Sequence, residues 1–292
     1  MRASPTRLEH PSSVIGNARM YTVSAHTAEL WRALLSTVST QAGLKVDVIE
    51  HAPPAAIEDL WRRTDMAAVF MCGLPYSCAR PKPALIAAPV PSAQDFAGRP
   101  EYWSELVVRS DSPYQDIEAT FGARLALTAP NSQSGYAAAL QYLMTHVTAR
   151  DAQLGVLPLY REVIAPTIHP LGAITAVISG AADLAPVDAY AYRLLQRYRS
   201  DLTSKLRTVA RTARTPIPPL VASIEAGDAL RSAFAQAHGN PRLKPLMAGL
   251  ELAKFVTPNP VDYDALRVNF EAAKAYWREN PLAAIVHPAF VV

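Results

Sequence analysis

The sequence contains few glycines and no glycine-rich motif. Its 12 glycines are widely spread, and the nearest two, Gly172 and Gly180, are eight positions apart. The dinucleotide fingerprint GxGxxG, the phosphate loop GxxxxGK[ST] and the nucleophile elbow GxSxG all need glycines closer together than that. The sequence therefore lacks the usual signatures of nucleotide-binding proteins and of α/β-hydrolases.

Cysteine and net charge are also scarce. Two cysteines, Cys72 and Cys78, are too few for a disulfide scaffold in 292 residues and form no CxxC pair. None of the seven histidines forms an HxxxH pair, so the common zinc signatures are absent. The 28 basic and 25 acidic residues leave a net charge of +3. This small excess does not indicate the concentrated basic surface that nucleic-acid-binding proteins usually have. We expect no metal, no cofactor and no nucleic-acid partner.

Long apolar runs are missing as well. The first twenty residues contain no apolar run of about 7–15 residues, which a secretory signal requires. The longest apolar stretch, Met66–Tyr76, is about half the length of a membrane span. The sequence thus predicts no membrane insertion, and it places the protein in the cytoplasm unless the natural start lies upstream of Met1.

The chain does have the length for about two domains, and half of its residues are hydrophobic. Strand-like and helix-like segments alternate along it. The pattern predicts strands over 20–25 and 45–50, a helix over 27–42, and a strand buried on both faces over 66–72. Such alternation is typical of an α/β fold with a largely parallel sheet.

A second series of strands and helices begins after residue 106 and ends near the proline-rich segment 215–220. We therefore expect two lobes. Lobe 1 would contain residues 1–106 and 212–292, and lobe 2 residues 107–211, so that the chain crosses between them twice. A ligand would then bind in the crevice at the carboxyl ends of the strands.

The segment Thr128–Tyr136, TAPNSQSGY, joins a predicted strand to a long helix capped by Asn131 or Ser132. The first N–H groups of a helix lack internal partners and lie at the positive end of its dipole, which favours anions. The hydroxyls of Ser132 and Ser134 would add donors, and Gly135 would permit close approach. An ordinary N-cap explains the same residues, and both interpretations remain open at this point.

Two further polar residues stand at the ends of predicted elements. His169 precedes a helix, and Asp188 follows a short apolar strand. Each either contacts a ligand or caps the helix that follows it. Together with Ser132 or Ser134 they would also supply the residue types of a hydrolytic triad, which is recognised by geometry rather than by sequence.

The order Ser-x-Ser-Gly-Tyr, then His169, then Gly-x-x-Asp-x-x-x-x-Asp over 180–188, resembles the phosphonate/phosphate-type solute-binding proteins of ABC importers. The similarity extends from about Met20 to Pro219. It includes Met71–Ala79, where the family commonly has Gly-Pro-x-x-Tyr, and Trp103–Pro113. The resemblance implies a two-lobed α/β fold of the type II periplasmic-binding-protein kind, with a hinge and an interlobe cleft.

The resemblance also implies a ligand site. The residues that it places at the ligand are Tyr21, Tyr76, Ser132, Gln133, Ser134, Gly135, Tyr136, His169 and Asp188. Gln133 would contribute its backbone N–H, and Asp188 would accept from a P–OH group or pair with a ligand amine. The sequence departs from the family where Cys72-Gly73 replaces Gly-Pro.

The implied function is non-catalytic binding of a small phosphorus oxyanion, namely phosphonate, phosphate or phosphite, as the substrate-binding component of an ABC transporter. An ABC permease would be its partner, and its location would be periplasmic. The alternatives are an intracellular sensor, or a binder of a sulfonate or a pyrimidine precursor on the same fold, and, as a further alternative, a hydrolase.

Overall fold

The computed structural model describes residues 14–154, 158–225 and 227–286, without the side chains of residues 148–154 and 286. The strands are β1 (Val14–Asn17), β2 (Val46–Val48), β3 (Met66–Phe70), β4 (Ala84–Pro91), β5 (Glu101–Tyr102), β6 (Ser104–Arg109), β7 (Arg124–Ala126), β8 (Tyr160–Ile164), β9 (Ala185–Asp188), β10 (Leu206–Arg211), β11 (Thr215–Pro216), β12 (Leu220–Ala222), β13 (Leu252–Val256) and β14 (Ala283–Val286). The helices are α1 (Ala25–Gln41), α2 (Ile57–Trp61), α3 (Gly73–Cys78), α4 (Ala138–Leu154), α5 (Pro170–Ile178), α6 (Ala189–Tyr198), α7 (Ser200–Thr203), α8 (Gly227–Gln236), α9 (Lys244–Gly249) and α10 (Pro260–Glu279).

The first sheet contains six strands in the order β13–β4–β12–β3–β1–β2. β1 is parallel to β2 and β3, whereas β12 and β13 are antiparallel to their neighbours. All five residues of β3 are buried, as its continuous apolar run predicts for a strand covered on both faces. The expected α/β architecture is confirmed, with a mixed rather than a largely parallel sheet.

Helix α1 begins at a capping box. The Ser24 hydroxyl accepts from the Thr27 amide at 3.2 Å, and the Ser24 amide donates to the Thr27 hydroxyl at 2.9 Å. One face of the helix buries Trp31, Leu34, Leu35 and Val38. The strand predicted over 20–25 is wrong, because this segment contains a 3₁₀ turn over Arg19–Tyr21 and then the cap.

The second sheet is built from two three-stranded parts, β10–β6–β9 and β14–β8–β7. A parallel bridge between Leu125 and Leu184 joins them, and the Ala126 amide donates to the Leu184 carbonyl at 2.8 Å. We call the part built on the first sheet lobe 1 and the part built on the second sheet lobe 2.

Two antiparallel ladders run along the segments where the chain passes between the sheets. β5 pairs with β11, and β6 pairs with β10 over Arg109 to Glu105. The lobe boundaries predicted near residues 106 and 212 fall at these ladders, and we retain them as a proposal. Paired strands of this kind suit a hinge, because bending them changes a few backbone dihedrals without unpacking either core.

The C-terminal segment differs from the expectation that residues 212–292 belong to lobe 1. β14 pairs in parallel with β8 and forms the edge of the second sheet. Phe270 and Ala273 of α10 also pack into the lobe 2 core, whereas Leu266 packs in lobe 1. Helix α10 therefore spans both lobes. This strand pairing joins residues more than 100 positions apart, which local sequence patterns do not encode.

The described residues contain neither a metal-binding cluster nor a disulfide. No group of three or more His, Cys, Asp or Glu side chains in them is placed to hold a metal ion. Cys72 is a buried free thiol and Cys78 an exposed one. Within the same residues, no helix combines the length and apolar character that crossing a bilayer requires.

Candidate functional site between the lobes

A cavity of about 110 Å³ lies between the two lobes. Its polar wall residues include Arg19 and Cys72 from lobe 1 and, from lobe 2, Thr128, Ser132, Ser134, His169 and Asp188. Pockets that hold drug-sized ligands usually measure about 300–1,000 Å³. This cavity, which we call the cleft cavity, has room for a ligand of only a few heavy atoms.

One wall of the cleft cavity is the start of the long helix of lobe 2. The Ser132 hydroxyl oxygen caps it by accepting from the Gly135 amide at 3.0 Å. The first turn, Gln133–Ala137, is a π-helical turn that leads directly into α4. The Ser134 amide makes no hydrogen bond within the described part of the chain. The ordinary cap and a free amide donor thus occur together at this helix start.

Thr128 supplies an unpartnered hydroxyl to the same wall. Its side chain is buried, and Oγ1 has no hydrogen-bond partner among the described residues. A Cβ added at Gly135 would lie 2.0 Å from this Oγ1, so glycine is needed there because the hydroxyl occupies the space. Buried hydroxyls normally have partners, and a ligand oxygen would satisfy this one. Sequence reasoning did not select Thr128, because one threonine after a strand carries no distinctive signal.

The backbone N–H of Gln133 already has a hydrogen-bond partner. It donates to the Cys72 sulfur across the lobe interface at 3.2 Å. Burial raises the pKa of the Cys72 thiol to about 11, so the thiol is neutral at pH 7. In the buried side chain of Gln133, neither Oε1 nor Nε2 has a hydrogen-bond partner within the described residues. A ligand contact through the Gln133 N–H remains a proposal that requires Cys72 to move.

His169 is the N-cap of α5 and also borders the cleft cavity. Its Nδ1 accepts from the Gly172 amide at 3.1 Å. Because an amide only donates, Nδ1 carries no proton and the neutral ring carries its proton on Nε2. Burial, with a contribution from the Arg19 charge, lowers the pKa of His169. The residue offers a ligand one donor, Nε2–H. The preceding residue, Ile168, has φ of +64°, a left-handed backbone that is strained for a β-branched side chain.

Asp188 caps α6 and is buried. Its Oδ1 accepts from the Ala191 amide at 2.9 Å, and its Oδ2 accepts from the Tyr21 hydroxyl at 3.4 Å. Burial raises the pKa of Asp188 to about 7, which brings the titration of this carboxyl into the neutral pH range. Tyr21 lies behind Asp188 and is not on the cavity wall. The hydrogen bond joins the two lobes.

Arg19 brings a positive charge to the cleft and was not anticipated from the sequence. It lies in the 3₁₀ turn after β1, and one guanidinium nitrogen donates to the Ala55 carbonyl at 2.5 Å. Its amide donates to the Asn17 side chain at 2.9 Å, which holds the turn in place. Burial lowers the pKa of Arg19, although a guanidinium remains charged in proteins. The sequence signal was weak, because arginines in turns are usually exposed.

Four of the expected ligand residues do not border the cleft cavity, namely Tyr21, Tyr76, Gln133 and Tyr136, and their contact with a ligand stays a prediction. Tyr76 is in a hydrophobic cluster, where its ring centroid is 5.2 Å from that of Tyr263. Tyr136 faces Phe270 at 6.0 Å in the lobe 2 core. Neither residue borders the cleft cavity. Both are aromatic residues beside a turn that fill the core, where burial of a large ring is most favourable.

The residue types of a hydrolytic triad are present but not connected. His169 uses Nδ1 to cap a helix, and the Asp188 oxygens accept from Ala191 and Tyr21. In a triad, the carboxylate is hydrogen-bonded to one imidazole nitrogen and the hydroxyl to the other. No such chain of hydrogen bonds links these side chains in the described structure.

Comparison with solved structures gives the fold class of the protein. A binding component of an ABC phosphonate transporter from Pseudomonas aeruginosa is similar with a TM-score of 0.71 and 17% identity, covering 91% of this chain and 86% of that one. PhnD1 from Prochlorococcus marinus, solved with methylphosphonate, gives 0.70 and 18%, covering 91% and 99%. A Xanthomonas citri protein bound to chloride gives 0.63 and 16%, covering 91% and 100%. The fold is that of the two-lobed periplasmic binding proteins.

A family comparison identifies the chain more closely. Residues 21–263 match the family described as ABC transporter, phosphonate, periplasmic substrate-binding protein, and the chain belongs to that family. Its members are transport components that bind small ligands and work with a permease. The alternatives of a sensor or of a sulfonate or pyrimidine-precursor binder are not favoured. A comparison with curated proteins gave no match.

Proposed function

We propose that this chain binds one small phosphorus oxyanion, of the size of methylphosphonate or phosphate, in the cleft cavity. The observation that carries the proposal is a small interlobe cavity in which the Ser134 amide, at a helix start, and the buried Thr128 hydroxyl both lack hydrogen-bond partners among the described residues. A tetrahedral oxyanion presents three acceptor oxygens in a compact volume, which matches several donors converging on a small space.

The donors divide by lobe. Lobe 2 supplies the Ser134 amide, the hydroxyls of Thr128, Ser132 and Ser134, and Nε2–H of His169, while lobe 1 supplies the guanidinium of Arg19. The Ser132 hydroxyl oxygen and His169 Nδ1 each accept a hydrogen bond that caps a helix and fixes the side chain. The O–H of Ser132 and the Nε2–H of His169 remain available as donors. Because these donors are fixed before the ligand arrives, the side chains lose little conformational entropy on binding.

Asp188 makes the protonation state of the site part of its selectivity. A charged carboxylate repels a doubly ionised oxyanion, whereas a neutral carboxyl tolerates it, and a charged one accepts from a P–OH group. Since burial brings the pKa of Asp188 to about 7, one proton is shared between ligand and carboxyl near neutral pH. The site therefore favours a ligand that brings one proton, and binding weakens as pH rises above about 8.

Binding would close the two lobes about the hinge ladders. The contacts that already join the lobes, Tyr21 with Asp188 and Cys72 with Gln133, support a closed arrangement in which the cavity is shielded from water. In periplasmic binding proteins, hinge closure around the ligand is the usual conformational change. The closed protein would present its ligand to an ABC permease in the periplasm, and it would not alter the ligand chemically.

Isothermal titration with phosphate, phosphite, methylphosphonate, methanesulfonate and orotate tests this proposal. We expect at least one of the three phosphorus oxyanions to bind one-to-one and more tightly than methanesulfonate and orotate. A ligand at 100 times its Kd adds about 2.7 kcal/mol to stability, which thermal unfolding detects. Absence of binding to all three phosphorus oxyanions, or turnover of a phosphate monoester, would contradict it.

A further inference from the structure

A second, larger cavity adjoins the cleft cavity. It measures about 350 Å³ and lies between the start of α1, the loop after β2 and the start of α5. Four residues, Arg19, Met20, His169 and Pro170, border both cavities. We call the larger one the side cavity. An oxyanion held in the cleft cavity would thus lie next to space that it does not itself fill.

The walls of the side cavity are mainly apolar. Ala18, Val23, Ala28, Val48, Ile49 and Leu171 all contribute to them. The nearby polar side chains of Asn17, Thr22 and Ser24 already have partners, at Ile49, Arg19 and Thr27 respectively. Apolar walls favour a hydrocarbon substituent, since about 25 cal/mol is gained per Å² of apolar surface removed from water.

Trp31 adds an unsatisfied donor to this apolar space. Its side chain is completely buried and borders the side cavity, and its Nε1–H has no acceptor among the described residues. Tryptophan N–H groups usually find a partner when buried. Because Nε1 has no exposed surface in this structure, an oxygen on a ligand substituent would satisfy it once the packing around Trp31 opens towards the side cavity.

The charges around the side cavity oppose a cationic substituent. Arg19 and Arg32 are both on its walls. The carboxylate there, Glu50, is exposed and pairs with Arg32 at 3.2 Å. An ammonium group would meet the Trp31 donor and two guanidinium groups with no free carboxylate facing it, so it would lose hydration without gaining a partner.

We infer that the side cavity is a subsite for the organic substituent of the ligand, and that it takes a neutral chain of several carbons bearing an oxygen acceptor. This inference rests on the proposed function, because the substituent is attached to an oxyanion held in the cleft cavity. The chain then binds alkyl phosphonates or phosphate monoesters larger than methylphosphonate, and it discriminates against those with an amine at the end of the chain.

The test compares three ligands by isothermal titration: methylphosphonate, 4-hydroxybutylphosphonate and 4-aminobutylphosphonate. The last two have equal length and differ in the terminal group. We expect the hydroxyl compound to bind at least tenfold more tightly than the amine. Ala28→Leu fills the side cavity from α1, and Ala33→Leu adds the same bulk on the exposed face of the same helix. Ala28→Leu should weaken 4-hydroxybutylphosphonate at least tenfold relative to methylphosphonate, and Ala33→Leu should leave that ratio unchanged.

Trp31→Phe tests the donor separately. It keeps an aromatic ring against Tyr21 and Phe70 but removes the N–H together with part of the ring system, so the readout is the change for the hydroxyl compound relative to methylphosphonate in the same variant. We expect a selective loss of about fivefold for the hydroxyl compound. If methylphosphonate binds but Ala28→Leu affects all ligands equally, or the amine binds as tightly as the hydroxyl compound, the subsite is wrong and the proposed function stands. If the unchanged protein binds phosphate or phosphite but no phosphonate, the subsite is wrong and the proposed function stands. If it binds none of these oxyanions, the proposed function itself fails.

Discussion

The lobe 2 wall of the cleft consists of three helix starts, whereas the lobe 1 wall contributes an arginine and a thiol. Ser132, His169 and Asp188 each cap the helix that follows, and all three border the cavity. Arg19 and Cys72 face them from a 3₁₀ turn and from the residue before α3. One wall thus supplies fixed, short-range donors at positive helix ends, and the other supplies charge and closure.

This difference assigns separate roles to the two walls. Donors on capped helix starts lose little freedom on binding, so they should determine affinity and geometry. A guanidinium attracts any anion at longer range, so it should determine charge preference and salt dependence. Variants on the two walls should therefore differ in which property they change, as well as in how much affinity they remove.

The largest effect is expected on the lobe 2 wall. Replacement of Ser132 and Ser134 by alanine removes two hydroxyl donors, and hydrogen bonds to a charged group contribute about 1.5–3 kcal/mol each. We expect the Kd for methylphosphonate to rise about a hundredfold or more in isothermal titration. The exposed Ser110→Ala serves as the matched control. An unchanged Kd in a folded double variant would remove both serine hydroxyls from the site.

Asp188→Asn should show the next largest effect, on stability. An acid whose folded-state pKa is near 7 and whose unfolded value is near 3.8 binds its proton more tightly when folded. The wild type therefore loses stability as pH rises from about 4 to about 7, by up to about 4 kcal/mol. Asparagine keeps the helix cap and does not titrate. The gain in unfolding free energy of Asn over Asp, measured by urea denaturation, should grow over that pH range and then level off.

A difference between the two proteins that does not change with pH would show that Asp188 titrates normally in the folded state. It would also contradict the proposal that a proton shared between the ligand and Asp188 contributes to selectivity. Measurements at pH 4.5 and pH 8 suffice, because titration of the other groups cancels between wild type and variant.

On the lobe 1 wall, Arg19→Gln should raise the Kd about tenfold and reduce its salt dependence. The change removes the charge that faces the helix starts and keeps part of the side-chain length. Arg62→Gln is the control, since Arg62 is exposed and pairs only at the surface with Asp59. Titrations at 20 mM and 300 mM salt separate the roles of the two walls. A salt dependence equal to that of wild type would contradict a charge role for Arg19.

Two variants at His169 distinguish its role in helix capping from its role in ligand binding. Asparagine reproduces the Nδ1 acceptor that caps α5 and lacks the Nε2 donor, whereas alanine lacks both. We expect both variants to lose about tenfold in affinity. Only His169→Ala should also lose about 1 kcal/mol of stability. Full affinity in His169→Asn would mean that the residue is a cap and makes no contact with the ligand.

The same contrast explains how much the sequence could predict. The lobe 2 residues lie in short segments in which a strand end, a cap and a helix follow one another, so local patterns and the family resemblance located Ser132, His169 and Asp188. Arg19 and Thr128 reach the cavity only because distant elements pack together. Tyr76 and Tyr136 have the expected sequence positions, but their rings are turned into the core.

The fold shows the same limit. The alternation of elements predicted an α/β protein with two lobes, because hydrophobic periodicity reports local structure. The pairing of β14 with β8 and the span of α10 across both lobes depend on contacts far apart in the chain. The edges of sheets are therefore where the predicted division of the chain differs from the observed one.

A crystal structure with methylphosphonate tests the central claim most directly. The account predicts phosphonate oxygens within about 3.2 Å of the Ser134 amide and the Ser132 hydroxyl, with the Arg19 guanidinium on the opposite side and the methyl group towards the side cavity. A phosphonate bound outside the cleft, or one in the cleft that contacts neither Ser132 nor Ser134, would contradict it.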